Sequence, residues 1–375
     1  MSDDDSIRLG IVGAGGRGGS FQEALAHSDT ATVHAVCDLD EDGAERAREA
    51  HGAAEAYTDY DEMLWESDLD GVIIGTPQPL HVTQSVAALN QDLHVLSEVP
   101  AGINVGECRD LVEACERSAG TYMLAENYIY RKPVMLVKEL VEAGLFGEVY
   151  YAVGEYLHEV RGLFERTKWR RTWAAGRNGN NYPTHSLGPI LTWMPNDRVS
   201  RVSCEGSGHH YTDARGDSYE EEDTTVFLGK TEEDRLVSIR RDVFSERPHA
   251  MDNYQLQGTK GSYESARASG ESDRVWLEAH EEAEDSGEYA WRDLAEFEEE
   301  YLPEAWRDPP EGVEDLGHGG GDYFLVQDFL RCIAEGESPP IGIHRAMDMT
   351  LPGLASMESI ENDGEWVEVP DSRQW

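Results

Sequence analysis

Residues 7–19 read IRLGIVGAGGRGG, an apolar run (7–12) that passes directly into a glycine-rich turn. A short apolar run without alternation fits a strand buried on both faces, as in a parallel sheet. A helical stretch, 20–27, follows. Gly13, Gly15 and Gly18 give G-x-G-x-x-G between strand and helix, with Gly16 and Arg17 between the last two glycines. Gly13 permits the tight turn, Gly15 lets a pyrophosphate approach the backbone, and Gly18 lets the helix pack close to the strand. The helix N-terminus offers unpaired N–H groups to phosphate. Glycines in this strand–turn–helix context are a dinucleotide fingerprint. Asp38 follows the second apolar run, ATVHAVC (31–37), where a carboxylate binds ribose hydroxyls and repels a 2′-phosphate. The expected cofactor is therefore NAD, favoured over NADP.

Working outward, GVIIGT (71–76) and LHVLS (93–97) are further strands separated by Ala-rich amphipathic segments, and the alternation predicts a doubly wound parallel sheet. One helix is bounded by its own signals. Asn104 is an N-cap with Glu107 placed for a capping box, Cys108, Leu111, Val112 and Cys115 fall on one face, and Gly120 is the expected stop. TYMLAEN (121–127) reads as a strand. Beyond Asn127 the pattern changes: a helix over 133–143, then strand-like runs at 148–158, 199–206, 224–228 and 235–243. The expected fold is α/β, an N-terminal Rossmann domain (1–128) followed by an α+β domain (129–375) with a mostly antiparallel open sheet. Residues 271–316, dense in Glu and Asp around Trp276, Trp291, Tyr301 and Trp306, read as a solvated acidic insertion with aromatic anchors. Helices are expected at 322–335 and 344–360.

Composition narrows the class. A chain of 375 residues exceeds one ordinary core. The formal charge of -44 excludes the basic stripe a nucleic acid needs, and it would be repelled by an anionic membrane. So much charge repels itself in dilute buffer, whereas salt at 1 M shrinks the Debye length to about 3 Å. A halophile's salt-rich cytoplasm is the expected setting. The five cysteines (Cys37, Cys108, Cys115, Cys204 and Cys332) form no C-x-x-C and read as small buried hydrophobes in a reducing compartment. MSDDDS at the start lacks an apolar h-region, and no apolar run is long enough for a membrane span. His209–His210 lacks partners at ligand spacing, so no metal is implied.

The glycine turn, GTPQPLH (75–81), SEVPAG (97–102) and the α/β second domain together resemble the Gfo/Idh/MocA oxidoreductases. The resemblance implies that Thr76, Pro77, His81 and Glu98 line the NAD site. Each also has a plainer reading as a loop cap or turn former, and for His81 the two readings stand even. Asn127 is a further candidate there; like Asn180 and Asp322, it is of a type that also caps helices and turns. Two positions depart from the family's dehydrogenases: Val99 stands where they carry a lysine, and Asn181 where they carry an aspartate four residues before a catalytic histidine. A narrower resemblance accommodates both. SEVPAG, LAENYIY (124–130), GLFGEV (144–149), EYLHEVR (155–161), GNNYPTHSLGPI (179–190) and GHGGGDY (317–323) are similar to glycoside hydrolase family 109, which keeps NAD bound through its cycle.

That resemblance implies a redox-assisted cleavage. Transient oxidation at C-3 of a sugar makes the C-2 proton acidic, a base removes it, the C-1 substituent leaves, water adds and C-3 is reduced again. The chemistry needs a base of near-neutral pKa and hydroxyl-reading side chains. Tyr182 and His185, three apart, share a face of a helical turn; Tyr156 and His158, two apart, share a side of a strand. His185 is the expected acid/base, Tyr182 and His158 relay or hydroxyl-binding partners, and Tyr156 a binding wall or a packed core residue. A net sugar dehydrogenase and a non-catalytic NAD-binding sensor are the alternatives. The resemblance also implies a homo-oligomer.

Overall fold

Six short, apolar strands form the first sheet of the computed structural model, which describes residues 6–174, 176–248, 250–280 and 289–375. They are β1 (Ile7–Val12), β2 (Ala31–Cys37), β3 (Glu55–Tyr57), β4 (Gly71–Ile74), β5 (His94–Ser97) and β6 (Tyr122–Leu124), all parallel, in the order β3-β2-β1-β4-β5-β6. Leu9, Ile11, Val36, Val72, Ile73, Ile74, Val95 and Leu96 are fully buried, which is why these runs show no alternation. Because β1 pairs with both β2 and β4, the strand order reverses there, and a ligand of such a sheet binds at the carboxyl ends beside that point.

Local signals explain most element ends. The helix Val105–Arg117 begins where the Asn104 side chain accepts a hydrogen bond from the Glu107 N–H at 2.9 Å. Its end differs from expectation. The helix stops at an extended Ser118, and Gly120 serves close packing instead, since a Cβ there would lie 2.2 Å from the Leu93 carbonyl oxygen. The segment expected as one helix over 20–27 starts earlier as a 3₁₀ turn, Arg17–Phe21, before α-helix Gln22–Ala26. The clustered glycines wind that tighter turn, with Gly19 N–H donating to the Gly16 carbonyl. Cys37, Cys108, Cys204 and Cys332 are buried, whereas Cys115 is only partly so. Burial pushes the thiols of Cys37, Cys108, Cys115 and Cys204 up to about 12.

Compactness divides the chain non-linearly, where a single cut after residue 128 was expected. One unit comprises Met1–Tyr130, Glu311–Asp348 and Ser372–Trp375; the other comprises Arg131–Pro310 and Met349–Asp371. Within the first, the helix Gly321–Glu335 packs Leu325, Val326, Phe329 and Leu330 inward and reaches β1.

The second unit is built on a nine-stranded sheet ordered β14-β13-β12-β11-β7-β10-β9-β8-β15. Its strands are β7 (Val149–Leu157), β8 (Val199–Gly206), β9 (Thr224–Thr231), β10 (Leu236–Asp242), β11 (Asp252–Gly258), β12 (Gly261–Glu264), β13 (Arg274–Leu277), β14 (Arg292–Asp293) and β15 (Val367–Glu368). All neighbours are antiparallel except β7 and β10. The helix Thr184–Trp193 lies on β7, and a Cβ on Gly154 would stand 2.9 Å from both Cβ and O of Ser186.

More than half of the described residues of the acidic stretch 271–316 are exposed, but the stretch is also part of the sheet and not only a solvated insertion. β13 and β14 extend the sheet, and Val275, Leu277, Leu294, Phe297 and Leu302 are buried. The acids around these short strands hid the alternation of β13, whose outward positions are Arg274 and Trp276. Trp291 is exposed, with the Arg274 guanidinium 5.0 Å from its ring centroid. Residues 281–288 of that stretch lie outside the described residues.

Candidate active site

The glycine turn of the first unit forms a cradle that side chains would fill. Gly13 has φ of +74°, and a Cβ on it would sit 2.7 Å from the Gly75 carbonyl oxygen. A Cβ on Gly15 would sit 3.0 Å from Oδ2 of Asp38, covering the carboxylate. Gly18 approaches the Val12 carbonyl, where a Cβ would be 2.8 Å away. Gly15 and Gly16 are exposed, so their backbone is open to a ligand. Asp38, just past β2, accepts hydrogen bonds from the N–H groups of Gly15 (2.9 Å) and Asp40 (3.0 Å). A carboxylate has about four acceptor positions, which leaves capacity for ribose hydroxyls. The residues present therefore fit an adenine dinucleotide.

Thr76 and Pro77 follow β4, and the Thr76 hydroxyl donates to Gln84 Oε1 at 2.5 Å. His81 is buried, with Nδ1 2.9 Å from the Pro100 carbonyl oxygen and Nε2 2.9 Å from that of Thr76. Both ring nitrogens are thus engaged in bracing the loops after β4 and β5.

Arg17 gathers residues remote in sequence. Its Nε donates to Glu98 Oε1 at 2.7 Å, and its terminal nitrogens lie 3.3 and 3.4 Å from the Asp322 carboxylate. Asn127 Nδ2 donates to Asp322 Oδ1 at 2.6 Å, and His318 Nδ1 stands 3.1 Å from Oδ2. Burial lowers the tendency of Arg17 to hold its proton, but Glu98 and Asp322 outweigh it and raise the guanidinium above its ordinary value. Burial likewise pushes the Asp322 carboxyl up, yet His318, Arg17 and Asn127 together hold it below its usual range. His318 was not foreseen. Its φ of +60° is uncommon for a non-glycine residue, and it precedes Gly319 and Gly320, both also left-handed. A histidine oriented by a buried carboxylate is equipped for proton transfer. Of the motif GHGGGDY, the sequence singles out Asp322 and not His318.

The second unit brings together all four residues expected to be catalytic. Tyr156, near the end of β7, has its hydroxyl 2.8 Å from Nδ1 of His158. The Tyr182 hydroxyl lies 3.2 Å from Nε2 of His185. Tyr156 joins the two pairs, its ring centroid 5.9 Å from Tyr182 and 5.4 Å from His185. Tyr182 precedes the helix Thr184–Trp193 rather than lying in it, so the turn at Pro183 and not a helical face makes that contact. The Tyr254 hydroxyl donates to the His185 carbonyl at 2.5 Å, fixing the first turn of the helix. Neither departure from the dehydrogenase pattern is compensated in place. Val99 is buried, and the Asn181 amide donates to the carbonyls of Ala174 and Arg177 at 3.0 and 2.9 Å, a structural task.

Comparison with known proteins agrees with both halves. Residues 7–126 match the oxidoreductase family with an NAD-binding Rossmann fold, so the protein is of the class of NAD-dependent oxidoreductases. Residues 130–374 match the C-terminal domain of glycosyl hydrolase 109. More particularly, then, the chain belongs to glycosyl hydrolase family 109. A family 109 protein of Saccharopolyspora erythraea is 32% identical over 98% of this chain and 83% of its own length. One from Solibacter usitatus is 29% identical over 98% and 88%. Among solved structures, levoglucosan dehydrogenase with NADH and L-sorbose has a TM-score of 0.83 at 20% identity, covering 98% of this chain and 100% of that one. The WlbA dehydrogenase of Bordetella pertussis, with NADH and UDP-GlcNAcA, has a TM-score of 0.79 at 20% identity, covering 98% and 99%. These likenesses show the shared fold. No helix among the described residues is long and apolar enough to cross a membrane.

Proposed function

We propose that the protein cleaves a glycoside by transient oxidation of the sugar at C-3, with His185 as the acid/base at C-2. The observation that carries this reading is the Tyr156–His158–Tyr182–His185 cluster in a chain of the glycosyl hydrolase 109 family. Gly13, Gly15, Gly16, Arg17, Gly18, Asp38, Thr76, Pro77, Glu98 and Asn127 hold NAD, with His81 bracing two of the loops. Residues 1–128 serve as the cofactor domain, and of residues 129–375 the unit Arg131–Pro310 with Met349–Asp371 serves as the substrate domain. When bound, NAD accepts the C-3 hydride and returns it. His185 takes the C-2 proton, which the neighbouring ketone has made acidic, and later gives a proton back. Tyr182 orients the His185 imidazole through their contact. Tyr156 and His158 bind sugar hydroxyls and pass protons. The protein works as a homo-oligomer in a salt-rich cytoplasm, without a nucleic-acid partner.

Turnover in D₂O tests the C-2 step. Deuterium is expected at C-2 of the released sugar; a product labelled only at exchangeable hydroxyls contradicts it. A net sugar dehydrogenase is the second reading, favoured by the His318–Asp322 contact, an oriented imidazole in a chain that has Val99 instead of the usual lysine.

Asp38 sets cofactor choice in this account. Asp38→Ala removes the acceptor that positions Gly15 and the charge that repels a 2′-phosphate. A hydrogen bond to a charged group contributes about 1.5–3 kcal/mol, so NAD affinity is expected to fall by roughly tenfold or more, with discrimination against NADP relaxed. Titration with both cofactors checks this, and an unchanged preference contradicts it.

A further inference from the structure

The sheet of the second unit carries a buried charge that the mechanism above leaves unused. Arg241, on β10, is the register partner of Tyr156 on β7 and of Thr225 on β9. Paired residues on adjacent strands present their side chains to the same face. The guanidinium and the Tyr156 ring therefore share one face of the sheet. Arg241 is 4% exposed, and Glu221, its ion-pair partner, 1%. Its Nε has no hydrogen-bond partner among the described residues.

Taking two ions out of water is costly, and apolar residues of equal volume commonly pack as well or better. Such a pair calls for a role other than stability. Burial pushes the Arg241 guanidinium down to about 10, while Tyr156, Tyr182 and Asp242 act in the opposite sense. This coupling is reciprocal: a phenol that favours the charged guanidinium is drawn toward phenolate by it. The other groups facing Tyr156 are His158, Tyr182 and His185, together with Asp252, its register partner on β11, which pairs with Arg131. Glu221 forms the ion pair with Arg241 away from water.

We propose that Arg241 is a positioning residue for the tyrosine–histidine cluster, its buried charge holding the Tyr156 and Tyr182 phenols ready to give up a proton. The inference rests on the proton- and hydroxyl-handling roles given above to those tyrosines. It makes the cluster more than two hydrogen-bonded pairs, since one cation biases both phenols at once. Burial also protects the effect from salt, which screens exposed charges far more than buried ones.

Tyrosine ionisation is read at 295 nm on NAD-loaded protein in molar KCl, as the difference between the unaltered protein and Tyr156→Phe or Tyr182→Phe. At least one phenol is expected to ionise about one unit or more below the ordinary tyrosine value of about 10. In the doubly neutral variant Arg241→Met/Glu221→Gln, that ionisation and the acid limb of the kcat profile are both expected to rise by about one unit. Arg241→Lys, which keeps the charge, is expected to restore most of the shift. Two phenols ionising at or above 10 in the unaltered protein overturn the proposal even if no Arg241 variant folds. An ionisation that stays put in the folded double variant overturns it as well. A phenol that shifts while the kcat profile does not supports the electrostatic role of Arg241 and refutes the proton-handling role of the tyrosines.

Discussion

Replacing His185 with alanine is expected to lower kcat by about a thousandfold, within the range that positioned general acid–base catalysis supplies. NAD affinity is expected to stay within about twofold, since the dinucleotide cradle belongs to the other compact unit and has its own hydrogen bonds. The effect is expected to be large because, in the proposed mechanism, the C-2 proton is lost and regained through one imidazole, oriented by the Tyr182 hydroxyl on a backbone held by the Tyr254 bond to the His185 carbonyl. Alanine keeps the helix Thr184–Trp193, because residue 185 contributes its backbone rather than a cap. Steady-state kinetics beside NAD titration checks the split. An unchanged rate removes His185 from the mechanism; lost NAD affinity means the substitution acts through the fold.

The second large effect is expected at Gly75, which follows β4. A Cβ there would stand 2.3 Å from the Gly18 nitrogen and 2.4 Å from its Cα. The obstructing atoms are backbone on the glycine turn, so relief requires moving the turn itself. Overpacking ordinarily costs about 1–3 kcal/mol, and a backbone clash this close belongs at the upper end. NAD binding uses the same turn, so Gly75→Ala is expected to weaken it by about a hundredfold and to lower Tm. Calorimetry and NAD titration read both. Retention of full affinity would mean that the two loops separate freely, against the close packing described.

Gly75 also illustrates what the sequence conceals. The parallel strands were legible because Leu9, Ile11, Val72, Ile73 and Leu96 leave no polar face. The glycine turn was legible because its duty is local. The need for glycine at position 75 arises only when β4 is laid beside β1, a tertiary fact. Arg17 shows the same limit, since its partner Asp322 lies 305 residues away. In the second unit, i,i+2 and i,i+3 spacing identified Tyr156–His158 and Tyr182–His185 as pairs. Their union through Tyr156 depends on a helix crossing β7 at Gly154. Arg241 and Glu221 carried no local signal, because an arginine in an alternating strand reads as an outward residue until the register with Tyr156 is known. Strands β13 and β14 were missed for a related reason: four and two residues long, they lie in a stretch so rich in acids that composition outweighed the short alternation of Val275 and Leu277.

The most direct test of the central claim follows NADH at 340 nm and aryl alcohol release together, on purified protein in molar KCl with NAD and a panel of aryl glycosides and free sugars. The account predicts aryl alcohol in many-fold excess over enzyme, NADH never exceeding the enzyme concentration, and loss of the reaction when bound NAD is removed. Aryl alcohol released at full rate by NAD-free protein would contradict it, as would stoichiometric accumulation of NADH from a free sugar.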